Sequence, residues 1–351
     1  FDMLHTETGW LMRSDIIPQG RLVASVADIN GEKESFTEFS DHYVRARNAV
    51  APISMYYDSV NWHHAMGVNN FTSYYSWKQI SDEDIVALNK YTARLGYLLR
   101  QGKRDSRIGV FYPEAAMWAA YTANIREGAV DDSPVVDELD RAFAETSWAV
   151  LHRQAEFDYI DSEIILKGKI KGEKLTYKDR EYYVIALPCT RVLENSVMDK
   201  LIEFADNGGI VVFTVSQPEK CRETGESSEQ VRKTAEYISK GKMHAVSVEG
   251  FGKLIDFNID SKYKTIAIEK YQPNILSHVR IAETGERIIY LANMTGEEYN
   301  TALTVNGNYS EVYEANPESG EIKKKNAAFT NDRVVIDVTA HRNRCLLLIV
   351  K

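Results

Sequence analysis

The fold class of this chain is decided by the stretch YYVIALPCTRVLENSVMDKLIEFADNGGIVVFTV at positions 182–215. Its two ends, 182–188 and 210–215, are short apolar runs that are typical of buried strands. Between them, 195–205 has the apolar spacing of a helix, and Asn207-Gly-Gly209 is a helix stop. A strand, a helix and a second strand in this order form the repeating unit of a parallel sheet covered by helices.

The same alternation continues on both sides of that stretch. It predicts further strands at 107–113, 157–160 and 244–248. It predicts further helices through Met117 and Trp118, over about 135–154 and over about 228–239. We therefore expect residues 105–262 to form a doubly wound α/β domain of the flavodoxin-like type. Residues 263–351 instead contain short strands separated by turns such as Asn306-Gly-Asn308, which is the pattern of an antiparallel β-sandwich.

Residues 1–104 also alternate, which predicts the C-terminal part of a (β/α)8 barrel. The apolar run 21–27 predicts a buried strand, and 42–66 predicts a helix that is interrupted near Pro52. A strand is expected within 67–77, followed by a helix that Ser81 caps. Because the chain starts without an initiator methionine, we expect the first half of the barrel and any secretion signal to lie outside it. Cytoplasmic and periplasmic locations both stay open.

The bulk composition restricts the classes of partner. The net charge of −9 argues against nucleic acid, whose phosphates are bound by an excess of Lys and Arg. No apolar run reaches the length of about 18 residues that spans a membrane. Three cysteines without a CxxC pair indicate no metal site, and no nucleotide-binding motif indicates a cofactor. The twenty tyrosines and five tryptophans suit a carbohydrate, because aromatic rings stack on apolar faces while their polar ends take hydrogen bonds.

A polar segment after the predicted strand at 21–27 carries the carboxylates that chemistry would need. In βα barrels, catalytic groups lie where the strands end. Glycoside hydrolysis commonly uses two carboxyl groups on opposite sides of the bond, one as an acid and the other as a base or nucleophile. Acidic loops are also often merely solvated, so the residues alone do not choose among the five candidates, which are Asp28, Glu32, Glu34, Glu38 and Asp41.

A resemblance narrows the choice. The run Ala24-Ser-Val-Ala-Asp-Ile-Asn-Gly31, then Glu38 seven residues later and Gly67-Val-Asn69 beyond it, resembles glycoside hydrolase family 106 and its relatives, the α-L-rhamnosidase-like barrels. Members of that family have a Ser-Val-Ala strand, a Gly and a Glu at this spacing. The resemblance also implies a barrel followed by a flavodoxin-like, amidotransferase-like domain and then β-domains, in the order given above.

The resemblance places Glu38 on a catalytic carboxylate. It implies hydrolysis with inversion, in which Glu38 is the general base to a water and a partner Glu is the acid. If the relatives are instead retaining β-galactosidase-like barrels, Glu38 is the nucleophile. Glu34 is an alternative, because Glu34-Ser-Phe-Thr37 is similar to a Glu-Ala-Phe-Thr string of the family. The partner acid is expected on an earlier strand, outside this chain.

Six residues are candidates for substrate binding: Asn69, Tyr74, Tyr75, Trp77, Asp28 and His64. Family members tend to have a His after the Gly-Val-Asn strand, which this chain lacks, so Tyr74, Tyr75 and Trp77 are a candidate sugar platform. Alternate members of that run are equally suited to the core, and Asn69 is equally suited to a cap or turn. Of the adjacent His63 and His64, at most one is expected to point inward, more often as a structural residue than as a ligand.

Two other functions stay open at this point. One is a non-catalytic carbohydrate-binding or scaffolding module. The other is an amidotransferase-like enzyme that uses Cys189, which would need a nearby histidine. Pro188 and Thr190 do not provide the glycine-flanked elbow of such nucleophiles, so Cys189 is expected to be a buried thiol. The α/β domain is then expected to be non-catalytic, supporting the barrel or mediating contacts in a homo-oligomer.

Overall fold

The computed structural model describes residues 4–6, 17–18, 20–40, 50–74, 80–122, 133–227, 229–256 and 263–351, with the backbone alone at 4–6, 39–40, 73–74 and 230. Within these residues the chain forms nine helices: α1 (Arg21–Ile29), α2 (Ile53–Ala65), α3 (Asp82–Leu99), α4 (Glu114–Ala120), α5 (Pro134–Leu151), α6 (Ser162–Lys167), α7 (Asn195–Asp206), α8 (Glu229–Ser239) and α9 (Val248–Asp256).

The strands of the described residues belong to several separate sheets. In chain order they are β1 (Leu4–Thr6), β2 (Phe36–Ser40), β3 (Asn70–Tyr74), β4 (Lys103–Arg104), β5 (Ile108–Phe111), β6 (Phe157–Ile160), β7 (Lys169–Lys171), β8 (Lys174–Tyr177), β9 (Arg180–Tyr182), β10 (Val184–Pro188), β11 (Val192–Leu193), β12 (Ile210–Thr214), β13 (Lys220–Cys221), β14 (His244–Val246), β15 (Ile266–Ile268), β16 (Ile275–Ile281), β17 (Arg287–Asn293), β18 (Tyr299–Asn306), β19 (Val312–Ala315), β20 (Ile322–Lys324), β21 (Ala328–Phe329), β22 (Arg333–Ala340) and β23 (Cys345–Val350). The expectation of a mixed α/β chain is confirmed.

The N-terminal part contains a parallel sheet in the order β1-β2-β3. Helix α1 precedes β2, α2 connects β2 to β3, and α3 follows β3. The cap predicted for α3 is confirmed, because the side chain of Ser81 accepts a hydrogen bond from the amide of Asp84 at 3.1 Å. Three acidic residues in the first turn, Asp82, Glu83 and Asp84, favour the same helix end.

The strand predicted at 21–27 is wrong, because these residues lie in helix α1. The buried positions of this helix include Arg21, Ala24, Ser25 and Asp28, which recur at the helical spacing of three and four residues. Three of the six buried residues of this helix are polar, so the side that faces the interior is only partly apolar. The apolar residues between them gave the run its strand-like appearance.

A second parallel sheet has the order β14-β12-β10-β5-β6. Numbered along the chain, this is the order 2-1-3-4-5 that flavodoxin has. Alternate residues of its strands face opposite helix layers: Ala186 and Val212 share a core with Trp148 of α5, whereas Ile185 and Val211 share another with helix α7. Both faces are therefore covered, as continuous apolar strands require.

The C-terminal part contains two antiparallel sheets, β15-β18-β22-β21 and β20-β19-β23-β17-β16-β4. Their inner residues form one hydrophobic cluster, to which Leu303 and Ile336 contribute from the first sheet and Ile289 and Leu348 from the second. The edge strand β4 comes from residues 103–104, so the second sheet reaches across the boundary that was expected at 104/105.

The turn before β4 depends on a glycine. Gly102 has a φ of +58°, and a Cβ there would lie 1.8 Å from the carbonyl oxygen of Ile281 on β16. A side chain at this position would push β4 off its partner strand. A further hairpin pair, β7-β8-β9, precedes β10 and was not anticipated from the sequence.

Candidate functional site

Glu38 is the third residue of β2, the central strand of the N-terminal sheet. Its neighbours in register are His5 on β1 and Thr72 on β3. Residues in register on adjacent strands project from the same face of a sheet. Thr72 is exposed and Glu38 is only half-buried, so this face of the sheet is accessible within the described residues.

The other face of this sheet is covered by a helix. Thr37 is fully buried, and its neighbour in register is Phe71. The ring of Phe71 packs on His63 and His64 of α2, with ring centroids 6.0 and 4.9 Å apart. Glu38 therefore lies on the face turned away from α2. In a βα barrel the helices surround the strands, so this is the face that a barrel would enclose.

Glu34 lies at the amino-terminal ends of these strands, just before β2 begins. One carboxylate oxygen accepts a hydrogen bond from Arg100 Nη1 at 2.8 Å, and the other accepts one from Asn70 Nδ2 at 3.4 Å. The pair is exposed, so Glu34 is accessible. It lies at the strand starts, however, whereas the catalytic groups of βα barrels come from the carboxyl ends.

Asn69 does not lie at a site open to a sugar. It is buried just before β3, where its Oδ1 accepts a hydrogen bond from the Ser35 amide at 3.2 Å and its Nδ2 donates to the Lys33 carbonyl at 2.9 Å. Both ends of its amide thus hold the loop that leads into β2. The predicted substrate contact is corrected to a structural one.

Asp28 is likewise corrected, because its carboxylate is buried among cations. It accepts hydrogen bonds from the Arg104 amide at 3.0 Å and from Arg280 Nη2 at 3.1 Å, and it lies 3.1 Å from Arg180 Nη1. Burial raises the pKa of Asp28, but the combined attraction of Arg280, Arg104 and Arg180 outweighs it and holds the pKa well below its usual range. Asp28 therefore joins α1 to β4, β9 and β16 and is not available to a substrate.

A second buried carboxylate continues this ionic cluster. Glu156 accepts a hydrogen bond from Arg21 at 2.9 Å, and the neighbouring Asp158 accepts one from Arg104 at 2.8 Å. Burial raises the pKa of Glu156, but attraction to Arg21, His278 and Arg104 outweighs this and lowers it to about 2. Local sequence patterns do not indicate this cluster, because its arginines are scattered over 260 positions, from 21 to 280. Arg280, between Val279 and Ile281 of an apolar strand, was the best available signal.

His64 is fully buried and is corrected as a substrate contact. Its Nδ1 hydrogen-bonds the Val60 carbonyl at 2.9 Å, and its ring packs on Phe71 and Tyr290. Burial lowers its pKa to about 3, so the ring is neutral at pH 7. Both His63 and His64 are buried, so the prediction that at most one of them points inward is wrong.

The proposed aromatic platform falls mostly outside the described residues. The backbone of Tyr74 ends β3, whereas the Tyr74 side chain, Tyr75 and Trp77 are beyond what the structure describes. Their role in sugar binding stays a prediction.

Cys189 is fully buried at the end of β10. Its backbone has a φ of +43°, which is uncommon for a residue other than glycine. Its Sγ accepts a hydrogen bond from Ser216 Oγ at 3.4 Å, and no histidine among the described residues hydrogen-bonds it. The support that an amidotransferase-like reaction would need is absent from this part of the chain.

The described residues lack both a metal-binding cluster and a membrane-spanning helix. They contain no group of three or more His, Cys, Asp or Glu side chains arranged to hold a metal ion. None of their helices is both long and apolar enough to cross a bilayer.

Several solved structures have a similar fold. A rhamnosidase from Novosphingobium sp. PP1Y superposes with a TM-score of 0.70 at 15% identity, over 96% of this chain and 33% of its own. A β-galactosidase from Rahnella sp. R3 superposes with a TM-score of 0.61 at 12% identity, over 100% of this chain and 60% of its own. An α-L-fucosidase from Paenibacillus thiaminolyticus superposes with a TM-score of 0.59 at 11% identity, over 96% of this chain and 64% of its own. No family model and no curated protein sequence matches the chain.

These likenesses define the class of fold. The chain has a glycosidase-like fold and spans between about one third and two thirds of the length of these three enzymes. Identities of 11–15% carry no residue roles from one protein to the other, so the chemistry has to be argued from the site itself.

Proposed function

We propose that this chain is the C-terminal portion of a glycoside hydrolase and that Glu38 is one of its catalytic carboxylates. The observation that carries the proposal is the position of Glu38 on the central strand of a parallel sheet, on the face turned away from α2. Likeness in fold to three glycosidases supports it. On this proposal the N-terminal sheet is the last part of a (β/α)8 barrel, and the substrate is an oligosaccharide.

The chemistry proposed for Glu38 depends on its distance from a partner acid. Carboxyl groups about 5–5.5 Å apart retain the configuration of the anomeric carbon, with one of them as nucleophile. A separation of about 6.5–9.5 Å leaves room for a water, which a carboxylate deprotonates with inversion. The rhamnosidase likeness favours an α-L-rhamnoside as substrate and Glu38 as general base. A strand outside the described residues would supply the acid.

Glu34 is the second candidate for this role. Its ion pair with Arg100 and its place at the strand starts make Glu38 the better choice. The two residues also provide a matched comparison, because each can be changed to glutamine without a change in shape.

The test is a screen of aryl glycosides with the full-length protein and its Glu38→Gln and Glu34→Gln variants. Loss of a general base or nucleophile is expected to lower kcat by about 10²–10⁴-fold in Glu38→Gln, with Glu34→Gln within a few-fold of the parent. Equal turnover in Glu38→Gln and parent would remove Glu38 from the mechanism. Sugar binding without turnover by the parent would instead support a non-catalytic module.

A further inference from the structure

A groove of about 660 Å³ lies between the β7–β9 hairpins, the segment 103–107 and β17. Nine of its seventeen lining residues are Lys or Arg, and three are Asp or Glu. The chain as a whole carries a net charge of −9. Positive charge is therefore concentrated in this groove against the average of the molecule, which focuses a field that attracts anions.

Several of these cations already have partners. Arg104 and Arg180 belong to the buried ionic cluster, Lys103 lies 3.6 Å from Asp179, and Arg287 Nε lies 3.1 Å from Asp105. These pairs leave less charge for a ligand than the composition of the groove suggests.

Lys169 and Lys171 are different. They are exposed at alternate positions of β7, so both project from the same face of the strand. Neither has a carboxylate within 4 Å in the part of the chain that the structure describes. Two parallel ammonium groups on one rim can therefore contact successive anionic groups of a ligand.

Two tyrosines also line the groove. Lys178 Nζ lies 5.6 Å from the centroid of the Tyr177 ring, and Lys174 Nζ lies 5.2 Å from that of Tyr183. Cations held against aromatic rings keep their charge near an apolar, hydrogen-bonding surface. Such a lining suits a sugar ring that bears an acidic group better than a bare anion.

We infer that this basic groove binds an acidic polysaccharide, whose repeating units carry carboxylate or sulfate groups. The preference for a saccharide rests on the proposed function, whereas the preference for an anion rests on Lys169 and Lys171. A nucleic acid is also a polyanion, and its binding is the alternative that the DNA arm of the test below distinguishes from binding of an acidic polysaccharide.

The groove is separate from Glu38. The Tyr183 amide donates a hydrogen bond to the Arg107 carbonyl at 2.9 Å. Both residues line the groove and directly precede strands β10 and β5, so the groove lies where these two strands begin. Glu38 lies on a different sheet. The groove would hold a polymer away from the bond that is cleaved, so its loss leaves turnover of a small glycoside unchanged.

The test measures binding of the 351-residue chain to polygalacturonate, dextran sulfate, neutral dextran and a DNA duplex by calorimetry at low salt. Binding to at least one acidic polysaccharide, and not to dextran, is expected, and it should weaken at high salt as charges are screened. The polygalacturonate and dextran sulfate arms separate carboxylate from sulfate recognition. In the double variant Lys169→Gln/Lys171→Gln, Kd should rise about tenfold.

The matched control is Lys323→Gln/Lys324→Gln, which removes the same charge from the exposed strand β20 and should bind like the parent. Equal binding of dextran, tighter binding of DNA, or equal losses in both double variants would overturn the inference. Because binding is measured without turnover, failure of the Glu38 proposal would still leave the anion-binding result standing.

Discussion

Replacing Asp28 with asparagine tests whether this residue is structural. Asparagine preserves the shape and an acceptor oxygen but removes the charge that faces Arg280 and Arg180 at 3.1 Å each. Both guanidinium groups are at least 97% buried, so water cannot replace the lost counter-charge. Removing one partner of a buried ion pair typically costs about 3–5 kcal/mol. That is a large part of the total stability of about 5–15 kcal/mol expected for a folded protein.

Urea unfolding at pH 7, followed by tryptophan fluorescence, measures this effect. With a slope of about 3 kcal/mol per molar urea, the midpoint of Asp28→Asn should fall by about 1–1.7 M. Glu283→Gln is the control, because Glu283 pairs with Lys33 at 3.2 Å with both side chains exposed. That variant should stay within about 0.5 kcal/mol of the parent. An Asp28→Asn variant that unfolds like the parent but has a raised KM for substrate would refute the structural role.

Three further predictions concern buried groups and backbone strain. Burial lowers the pKa of His64 to about 3, whereas the unfolded pKa is about 6.5, so the stability that neutral His64 contributes above pH 6.5 is lost as the pH falls. Between pH 6 and 4, the unfolding free energy of His64→Leu should therefore depend on pH less steeply than that of the parent, by about 1.4 kcal/mol per pH unit. Parallel curves for the two proteins would contradict this. In urea unfolding, Gly102→Ala should lose about 3 kcal/mol or more of unfolding free energy, because its Cβ would lie 1.8 Å from a backbone oxygen. The control Gly31→Ala has a similar positive φ but open space around the Cβ, and it should lose about 1 kcal/mol. Equal losses in the two variants would show that the contact at Gly102 is relieved. Ellman's reagent at pH 8 should label none of the three native thiols within minutes and all three after unfolding. Cys189 and Cys221 are fully buried, and burial raises the pKa of Cys345 to about 12. Rapid labelling of the native protein would contradict this.

The parts of the fold that were predictable are those in which local signals agree with tertiary burial. The strands at 157–160 and 210–214 are apolar except at Asp158 and Thr214 and are almost completely buried, so most of their burial is visible in the sequence. The start of α3 follows from Ser81 and the acidic turn after it. Helix α1 was missed because its buried side includes Arg21, Ser25 and Asp28, which local patterns do not assign to an interior.

The site was harder to predict, because structural and functional polar residues differ only in their distant partners. Asp28 and Glu38 lie in one acidic segment. Asp28 is buried and accepts a hydrogen bond from Arg280, which is 252 positions away in the sequence. Glu38 instead occupies an open face that becomes visible only when β2 pairs with β3 and α2 covers the other side.

The most direct test of the central proposal uses a Glu38→Ala variant of the full-length protein with an aryl glycoside that the parent hydrolyses. The variant should have lost at least about 10²-fold in kcat while keeping the urea midpoint of the parent. Sodium azide, a small anionic nucleophile that fits the vacated space, should restore turnover and yield a glycosyl azide. Full turnover by Glu38→Ala without azide would contradict the assignment of Glu38 as a catalytic carboxylate.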